Sequence, residues 1–480
     1  MVHKPNSKKL VVCCDGTWQN SDSGWKKDGI FGAGRLQTPT NVTLLRDAIM
    51  PEDNQGVLQI VYYQNGIGSN DNVFDQVWGG LTSAGISENI REAYAFLVDN
   101  FVADNDDEIY LVGFSRGSYI ARSIGGMIGS IGLLEKNAMR SFYPIFKDYE
   151  NAGREGYKLM LPDYIKGFNV HENPANIESY LAEYKQKLLN MKLTRVVNVK
   201  AIGVFDTVGA LGIPLQPWLS KLGLPVSIPT EEYAFYDTGI DPHVENAFQA
   251  LAIDERRAAF RPTLWEKPDG SKTNLKQCWF PGAHSSVGGS YEDTACSTIS
   301  LAWMMENLRP FLDFHPTYIS DQVARNKAWY TQQQTIGKLH RNWGWGVGII
   351  YESVHFPTSL GGSLDRTPRF YRRTGPLTGK PQREKLSNTN ERMHASVRGR
   401  IKLGGLDENQ SSAYASPPLG KWSMKSKNEG GKVSWYWEYS GTDKDGFEGG
   451  KPAVMVEDTL KGFELEVLAM DLEAQAELFS

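Results

Sequence analysis

The run Glu108-Ile109-Tyr110-Leu111-Val112-Gly113-Phe114-Ser115-Arg116-Gly117-Ser118 constrains this chain more than any other stretch. An acidic residue is followed by a short apolar run, then by G-x-S-x-G, then by residues 118–124, which can continue as a helix. That order predicts a buried strand, a tight turn and a helix, with the turn lifting the Ser115 hydroxyl above the edge of a sheet. Gly113 and Gly117 carry no Cβ, so strand and helix can approach closely and the serine can hold a strained backbone angle. The pentapeptide alone is common by chance, and its weight comes from the strand pattern before it and the helical pattern after it. The competing reading is a glycine-rich turn with an idle serine.

Other apolar runs fall into the same scheme. Residues 10–14 read as a first strand ending at Asp15-Gly16-Thr17-Trp18, and residues 58–63 as a second ending at Asn65-Gly66-Ile67-Gly68. Ile86, Ile90, Ala93, Tyr94, Leu97 and Val98 recur at helical spacing over residues 86–102. Residues 199–205 read as a strand ending at Asp206-Thr207-Val208-Gly209, and residues 277–280 as one ending at Pro281-Gly282-Ala283-His284. Strands alternating with helices predict an α/β fold of the α/β-hydrolase kind: a mostly parallel, doubly wound sheet covered on both faces. Functional loops in such sheets lie at the carboxyl ends of the strands. The spacing also predicts a helical insertion over residues 135–196, tyrosine-rich and charged. The proline-punctuated residues 211–229 suit either a flap beside the site or a plain core loop. A catalytic domain over residues 8–310 is expected, with residues 311–480 as a C-terminal extension packed on it. In that extension Trp435-Tyr436-Trp437 sits among polar loops, and residues 460–479 read as an acidic amphipathic capping helix.

The net charge of -5 argues against a nucleic-acid binder, which should present a basic face. Cys13, Cys14, Cys278 and Cys296 show no zinc spacing and read as buried free thiols, which fits a reducing compartment. The N-terminal residues contain no apolar signal core, and no run of about 18 apolar residues could span a bilayer. The expectation is a cytoplasmic protein that meets lipid, if at all, transiently and from the membrane surface.

A serine hydroxyl needs a base to become a nucleophile at neutral pH, and an imidazole base needs a carboxylate to hold its tautomer and stabilise its charged form. His243, His284, His315, His355 and His394 follow Ser115 in strand-end or loop context. His284 is favoured because it follows an apolar strand and opens the flexible His284-Ser285-Ser286-Val287-Gly288-Gly289 loop; His394 is the rival. Asp206, at a strand end, is the favoured carboxylate. Asp254 competes, although its place beside Arg256 and Arg257 reads as a helical ion pair. The oxyanion of an attacked ester would be met by backbone amides: that of Arg116 after the serine, and one from the Gly16-Thr17 turn, with Asp15 holding that turn. Arg116 and Arg122 could attract an anionic head group or pair with nearby carboxylates. No metal or organic cofactor is expected.

Taken together, Val12-Cys13-Cys14-Asp15-Gly16-Thr17-Trp18, Thr40-Asn41-Val42, Tyr63-Gln64-Asn65-Gly66-Ile67-Gly68, Gly113–Tyr119, Phe205-Asp206-Thr207-Val208-Gly209 and Pro281-Gly282-Ala283-His284-Ser285 resemble an uncharacterised α/β-hydrolase family. That family shares its catalytic domain with the bacterial type VI secretion lipase effectors. The resemblance covers about residues 8–310 and implies a serine esterase acting on lipid or phospholipid esters, with Ser115 as nucleophile and Asp206 and His284 as partners. The chain resembles the short fungal members, whose substrates the resemblance does not supply. It departs from the family at Ser286, where an aspartate is usual. Two other readings stay open: an esterase, thioesterase or acyltransferase acting on small molecules, and a hydrolase-fold binding protein without a working base.

Overall fold

The computed structural model describes residues 6–16, 25–26, 35–66, 83–152, 156–160, 177–208, 239–354, 362–374, 381–410 and 414–479. Thr17, His355 and residues 211–229 lie outside this set.

Seven strands form one sheet: β1 (Lys8–Cys14), β2 (Leu58–Gln64), β3 (Glu108–Phe114), β4 (Ala201–Phe205), β5 (Asn246–Ala252), β6 (Asn274–Phe280) and β7 (Glu391–Met393). Their order is β7-β6-β5-β4-β3-β1-β2, and every pairing is parallel. The main helices are α1 (Asn41–Ala48), α2 (Ser83–Asn100), α3 (Arg116–Ile131), α4 (Phe142–Glu150), α5 (Ile177–Asn190), the short α6 (His284–Gly288), α7 (Ala295–Leu308), α8 (Tyr318–Thr335), α9 (Ala395–Leu403), α10 (Gly462–Ala469) and α11 (Leu472–Phe479).

Residue alternation along the strands separates two cores. Leu10, Val12 and Cys14 face one side with Ile109 and Leu111, under α2 and α3 and the helices of the insertion. Val11 and Cys13 face the other with Tyr110, Val112 and Phe114, under α1, α7, α8 and the C-terminal helices. Strands buried on both faces read as continuous apolar runs, which is why β1 and β3 are legible in the sequence. The chain passes from β1 outward to β2, then returns across β1 to β3. This makes the carboxyl ends of β1 and β3 the switch point where α/β sheets open a crevice. The doubly wound α/β expectation describes this sheet, and the parallel pairing is complete rather than partial.

Three elements differ from the sequence reading. Residues 246–252, whose end reads into the helix expected to carry Asp254, form β5, an interior strand of the sheet; Asp254 sits in the turn after it. Every residue of β5 is buried, and burial between two neighbouring strands overrides the helical propensity of its alanines. Trp435–Trp437 lies in a hairpin, β8 (Trp422–Glu429) paired antiparallel to β9 (Lys432–Tyr439), rather than among loops. The terminal capping helix is two helices, α10 and α11, broken at residues 470–471, where Asp471 accepts from the Ala474 amide. The insertion contains α4 and α5, and its stem is pinched by the antiparallel pair Leu133–Leu134 and Thr194–Arg195. The C-terminal residues supply β7 to the sheet edge, and Phe463, Val467, Leu468 and Leu478 to the second core.

Candidate active site

Ser115 stands between β3 and α3 with φ 58 and ψ -122, a strained conformation for a residue with a side chain. The glycines around it explain how it is held. A Cβ on Gly117 would come within 2.1 Å of the Cys14 carbonyl oxygen, and one on Gly113 within 2.5 Å of the Gly117 carbonyl oxygen. The turn is tied to β4: the Ser115 amide and the Ser118 hydroxyl both donate to the Phe205 carbonyl, at 3.1 and 2.9 Å. The residue after Phe205 is Asp206, also in the left-handed region at φ 42.

Asp206 and His284 meet. His284 Nδ1 lies 2.5 Å from Asp206 Oδ2, and both side chains are buried. The imidazole is packed between the ring of Phe114, 4.7 Å away between centroids, and that of Phe260, 4.9 Å away and edge-on. Phe114 immediately precedes Ser115, so the imidazole lies beside the elbow. Its Nε2 is buried and has no hydrogen-bond partner, so the bond to Ser115 Oγ is not made. Catalytic hydrogen bonds are often long before substrate binds. Burial pushes the His284 imidazole below its ordinary value, against the pull of the Asp206 hydrogen bond and charge. Burial also works to raise the Asp206 carboxyl, yet the Arg366 guanidinium and the His284 hydrogen bond hold it well below the usual carboxylate range.

Arg366 is the partner that sequence reasoning missed. Its guanidinium grips Asp206 in a fork, Nη1 to Oδ1 and Nη2 to Oδ2, the latter at 2.9 Å. It also donates to the Phe260 carbonyl at 2.8 Å. Glu255 was likewise unassigned: it accepts from the His284 amide at 3.1 Å and is itself held by Arg257 in a fork. No local motif marks either residue.

The rivals are placed elsewhere. Asp254 is not on a helix and pairs with neither neighbouring arginine. Its Oδ2 accepts from the Gly282 amide at 2.6 Å and from the Tyr414 hydroxyl at 2.9 Å, which fixes the turn leading into His284. His394 is fully buried beneath the sheet edge, with Nδ1 2.7 Å from Ser396 Oγ and Nε2 3.0 Å from Glu464. That serine-imidazole-carboxylate chain mimics a triad but has no access to solvent. Arg122 lies against the Trp265 ring and donates to the Thr263 carbonyl at 2.5 Å. Burial lowers the Arg116 guanidinium to about 10, so it stays charged at neutral pH. Ser286 is buried with its hydroxyl unpartnered.

Gly16 departs from expectation. Its amide is engaged by Asp15 Oδ1 at 2.6 Å rather than left open toward an oxyanion. The cause is the role of Asp15, whose other oxygen accepts from Thr40 Oγ1 (2.7 Å), Thr43 Oγ1 (2.9 Å) and the Tyr63 hydroxyl (2.6 Å). Thr40 also caps α1, and the next residue, Asn41, donates to the Val287 and Ser297 carbonyls at 2.9 and 2.8 Å. Asp15, Thr40-Asn41 and Tyr63 therefore form one network that ties the turn after β1 and the end of β2 to the helix carrying His284. Of the expected oxyanion set, the Arg116 amide remains at the elbow, and Thr17 lies outside the described residues.

A cavity of about 900 Å3 opens near Lys267, Asn274 and Arg369 at the amino end of β6, away from Ser115. A smaller one of about 130 Å3 is lined by Glu255, Arg257, Phe260 and Arg366 and adjoins the site.

Residues 8–307, more than half of the chain, match the family described as T6SS, phospholipase effector Tle1-like, catalytic domain. The chain belongs to the Tle1-like family. Its relatives include an uncharacterised protein of Saccharomyces cerevisiae, 28% identical over 271 residues, covering 54% of this chain and 33% of the yeast protein. The chain thus spans about a third of the curated relative it matches. An uncharacterised protein from Pseudomonas aeruginosa is 16% identical with a TM-score of 0.30, over 63% of this chain and 45% of that one. The Tle1 effector bound to the VgrG spike of the type 6 secretion system is 18% identical with a TM-score of 0.28, over 60% of this chain and 52% of its own. The Tle1-like segment ends at residue 307, so it includes Ser115, Asp206 and His284 and excludes Arg366.

Proposed function

We propose that this Tle1-like chain is a serine hydrolase that cleaves carboxylic esters, with the acyl ester of a lipid or phospholipid as substrate. Ser115 is the nucleophile, His284 the base and Asp206 the carboxylate that orients it. One observation carries the reading: the imidazole bound through Nδ1 to a buried carboxylate keeps a buried, unpartnered Nε2, and its ring packs on Phe114, the residue before the strained elbow serine. The depressed basicity of His284 supports it as well, because a neutral imidazole is the form that can accept a proton.

In this mechanism Nε2 takes the Ser115 hydroxyl proton as Oγ bonds to the ester carbonyl carbon. The Arg116 amide meets the resulting oxyanion, an interaction of the kind whose removal costs about a hundredfold or more in rate. The tetrahedral species collapses, its C–O bond breaks, and the leaving alcohol takes the proton from the imidazolium. Water then attacks the acyl-serine with the same base, releasing the acid and restoring Ser115. Asp206 stays ionised throughout. No metal or organic cofactor takes part in these steps.

The lipid preference rests on the family to which residues 8–307 belong. Among the described residues no helix is long and apolar enough to cross a membrane. A lipid substrate of this chain would be met transiently at a membrane surface. Four buried free thiols support a reducing, cytoplasmic setting. A fluorophosphonate probe should label the wild-type protein, and both Ser115→Ala and His284→Ala should abolish labelling. A chain-length series of p-nitrophenyl esters, with phospholipid vesicles alongside, then reads the substrate class. Cleavage of acetate with no long-chain activity above Ser115→Ala would replace the lipid with a small ester. No labelling at high probe concentration would make the chain a binding protein.

A further inference from the structure

A Ser-His-Asp site works through the charge of its carboxylate, yet here that charge is already matched by a buried guanidinium. Asp206 is fully buried, and its two oxygens accept from four groups: both Arg366 Nη atoms, His284 Nδ1 and the Ala252 amide at 2.9 Å. The Arg366 side chain is itself only 2% exposed. Its third contact, to the Phe260 carbonyl, fixes the residue whose ring packs edge-on against the His284 imidazole. One guanidinium thus touches the backing of the imidazole on two sides. Arg366 comes from the C-terminal residues, outside the segment that matches the Tle1-like family.

We propose that Arg366 is a positioning residue for this site: its guanidinium fixes the plane of the Asp206 carboxylate and offsets its charge, so that His284 rests as neutral imidazole. The proposal depends on the hydrolytic reading given above. Among the described residues, the charged groups around the imidazole are two couples, Asp206 with Arg366 and Glu255 with Arg257, the second joined by 2.9 Å contacts. With both couples intact the surroundings are close to neutral, and burial decides which form of the imidazole is favoured. Loss of Arg366 leaves one negative charge unbalanced, and that charge favours the imidazolium. Since only the neutral form can take the serine proton, activity must then fail at a higher pH.

The test is the pH dependence of kcat/KM on a p-nitrophenyl ester, corrected for active protein by fluorophosphonate titration, for wild type, Arg366→Gln and Arg366→Lys. Arg366→Gln should move the acid limb upward by about one pH unit, as expected for unmasking a neighbouring carboxylate. Arg366→Lys keeps the charge but not the fork, so the limb should stay in place while kcat falls. An acid limb in Arg366→Gln that coincides with that of wild type, with activity merely scaled down, would overturn the proposal. If Arg366→Gln does not fold, Arg366→Lys decides alone, since an unchanged kcat shows that the fork is not needed. Nitrogen NMR titration of His284 reads the same shift without catalysis. An NMR shift in a protein whose wild type shows no Ser115-dependent hydrolysis would keep the Arg366 effect and discard the hydrolase.

Discussion

At the residue scale, the burial of His284 beside Asp206 has a measurable consequence for stability. Both groups titrate below their ordinary values in the folded protein, His284 through burial, and Asp206 through Arg366 and His284 against burial. For a histidine shifted down, the unfolded chain binds protons more readily, so the contribution is fully present above its unfolded value of about 6.5 and is lost as pH falls through the folded value. For Asp206 the contribution is present above about 3.9 and is lost only well below it. Between about pH 7 and 5 the histidine therefore dominates this pair. Urea unfolding midpoints should fall less steeply over that window in His284→Gln than in wild type, and equal slopes would refute the linkage. Other buried carboxylates, Asp15 and Asp254 among them, are shifted upward by burial and act in the opposite sense. The test for this reason compares slopes rather than absolute stabilities. Ser115, Asp206 and His284 could be read from the sequence because each sits where an apolar run stops, and strand ends are local signals. Choosing Asp206 over Asp254 was a matter of which carboxylate reaches the imidazole, which sequence could weigh but not measure. Arg366 could not be read at all. It lies 160 residues from Asp206, follows no strand, and pairs with it only through the fold.

At the scale of elements, the junction of β3, β1 and α3 depends on two missing side chains. A Cβ at position 117 would press on the carbonyl of Cys14, the last residue of β1, and backbone cannot turn aside as a side-chain tip can. Overpacking among side chains costs about 1–3 kcal/mol, and Gly117→Ala should exceed that range while also displacing Ser115. Gly126, farther along α3, is a control within the same helix. Its nearest neighbour would be the Tyr149 hydroxyl at 3.8 Å, so Gly126→Ala should gain about 1 kcal/mol from helix propensity alone. Thermal unfolding of the two variants checks both signs, and a neutral Gly117→Ala would mean that the elbow is looser than its packing implies. The elbow was legible because its steric demand is written in adjacent glycines. Strand β5 was not, since Asn246-Ala-Phe-Gln-Ala-Leu-Ala carries residues of good helix propensity and becomes a strand only between β4 and β6. The three residues of β7 were too short to leave any periodic signal.

At the scale of the molecule, a division into a catalytic unit over residues 8–310 and an extension over 311–480 meets a physical obstacle. The extension closes the edge of the sheet with β7, where the Trp279 indole donates to Glu391 at 2.9 Å and the His394 amide donates to the Trp279 carbonyl. Without it β6 becomes an unpaired edge, a template for aggregation. The same extension places Phe463, Val467, Leu468 and Leu478 in the core beside Trp303, whose indole donates to Asp458 at 2.9 Å. Four such side chains carry about 6–12 kcal/mol of burial. That is comparable with the whole net stability of a typical domain, about 5–15 kcal/mol. Removing the extension also strips Arg366 from Asp206 and leaves a buried carboxylate without its cationic partner, which is strongly destabilising. A fragment of residues 8–310 should therefore be insoluble or bind a hydrophobic dye without a cooperative melt, whereas the full chain should unfold in one transition seen alike by near-ultraviolet dichroism and tryptophan fluorescence. A soluble fragment that melts cooperatively and still reacts with fluorophosphonate at Ser115 would show that the family segment stands alone. In that case the C-terminal residues would be tuning a finished site instead of completing it.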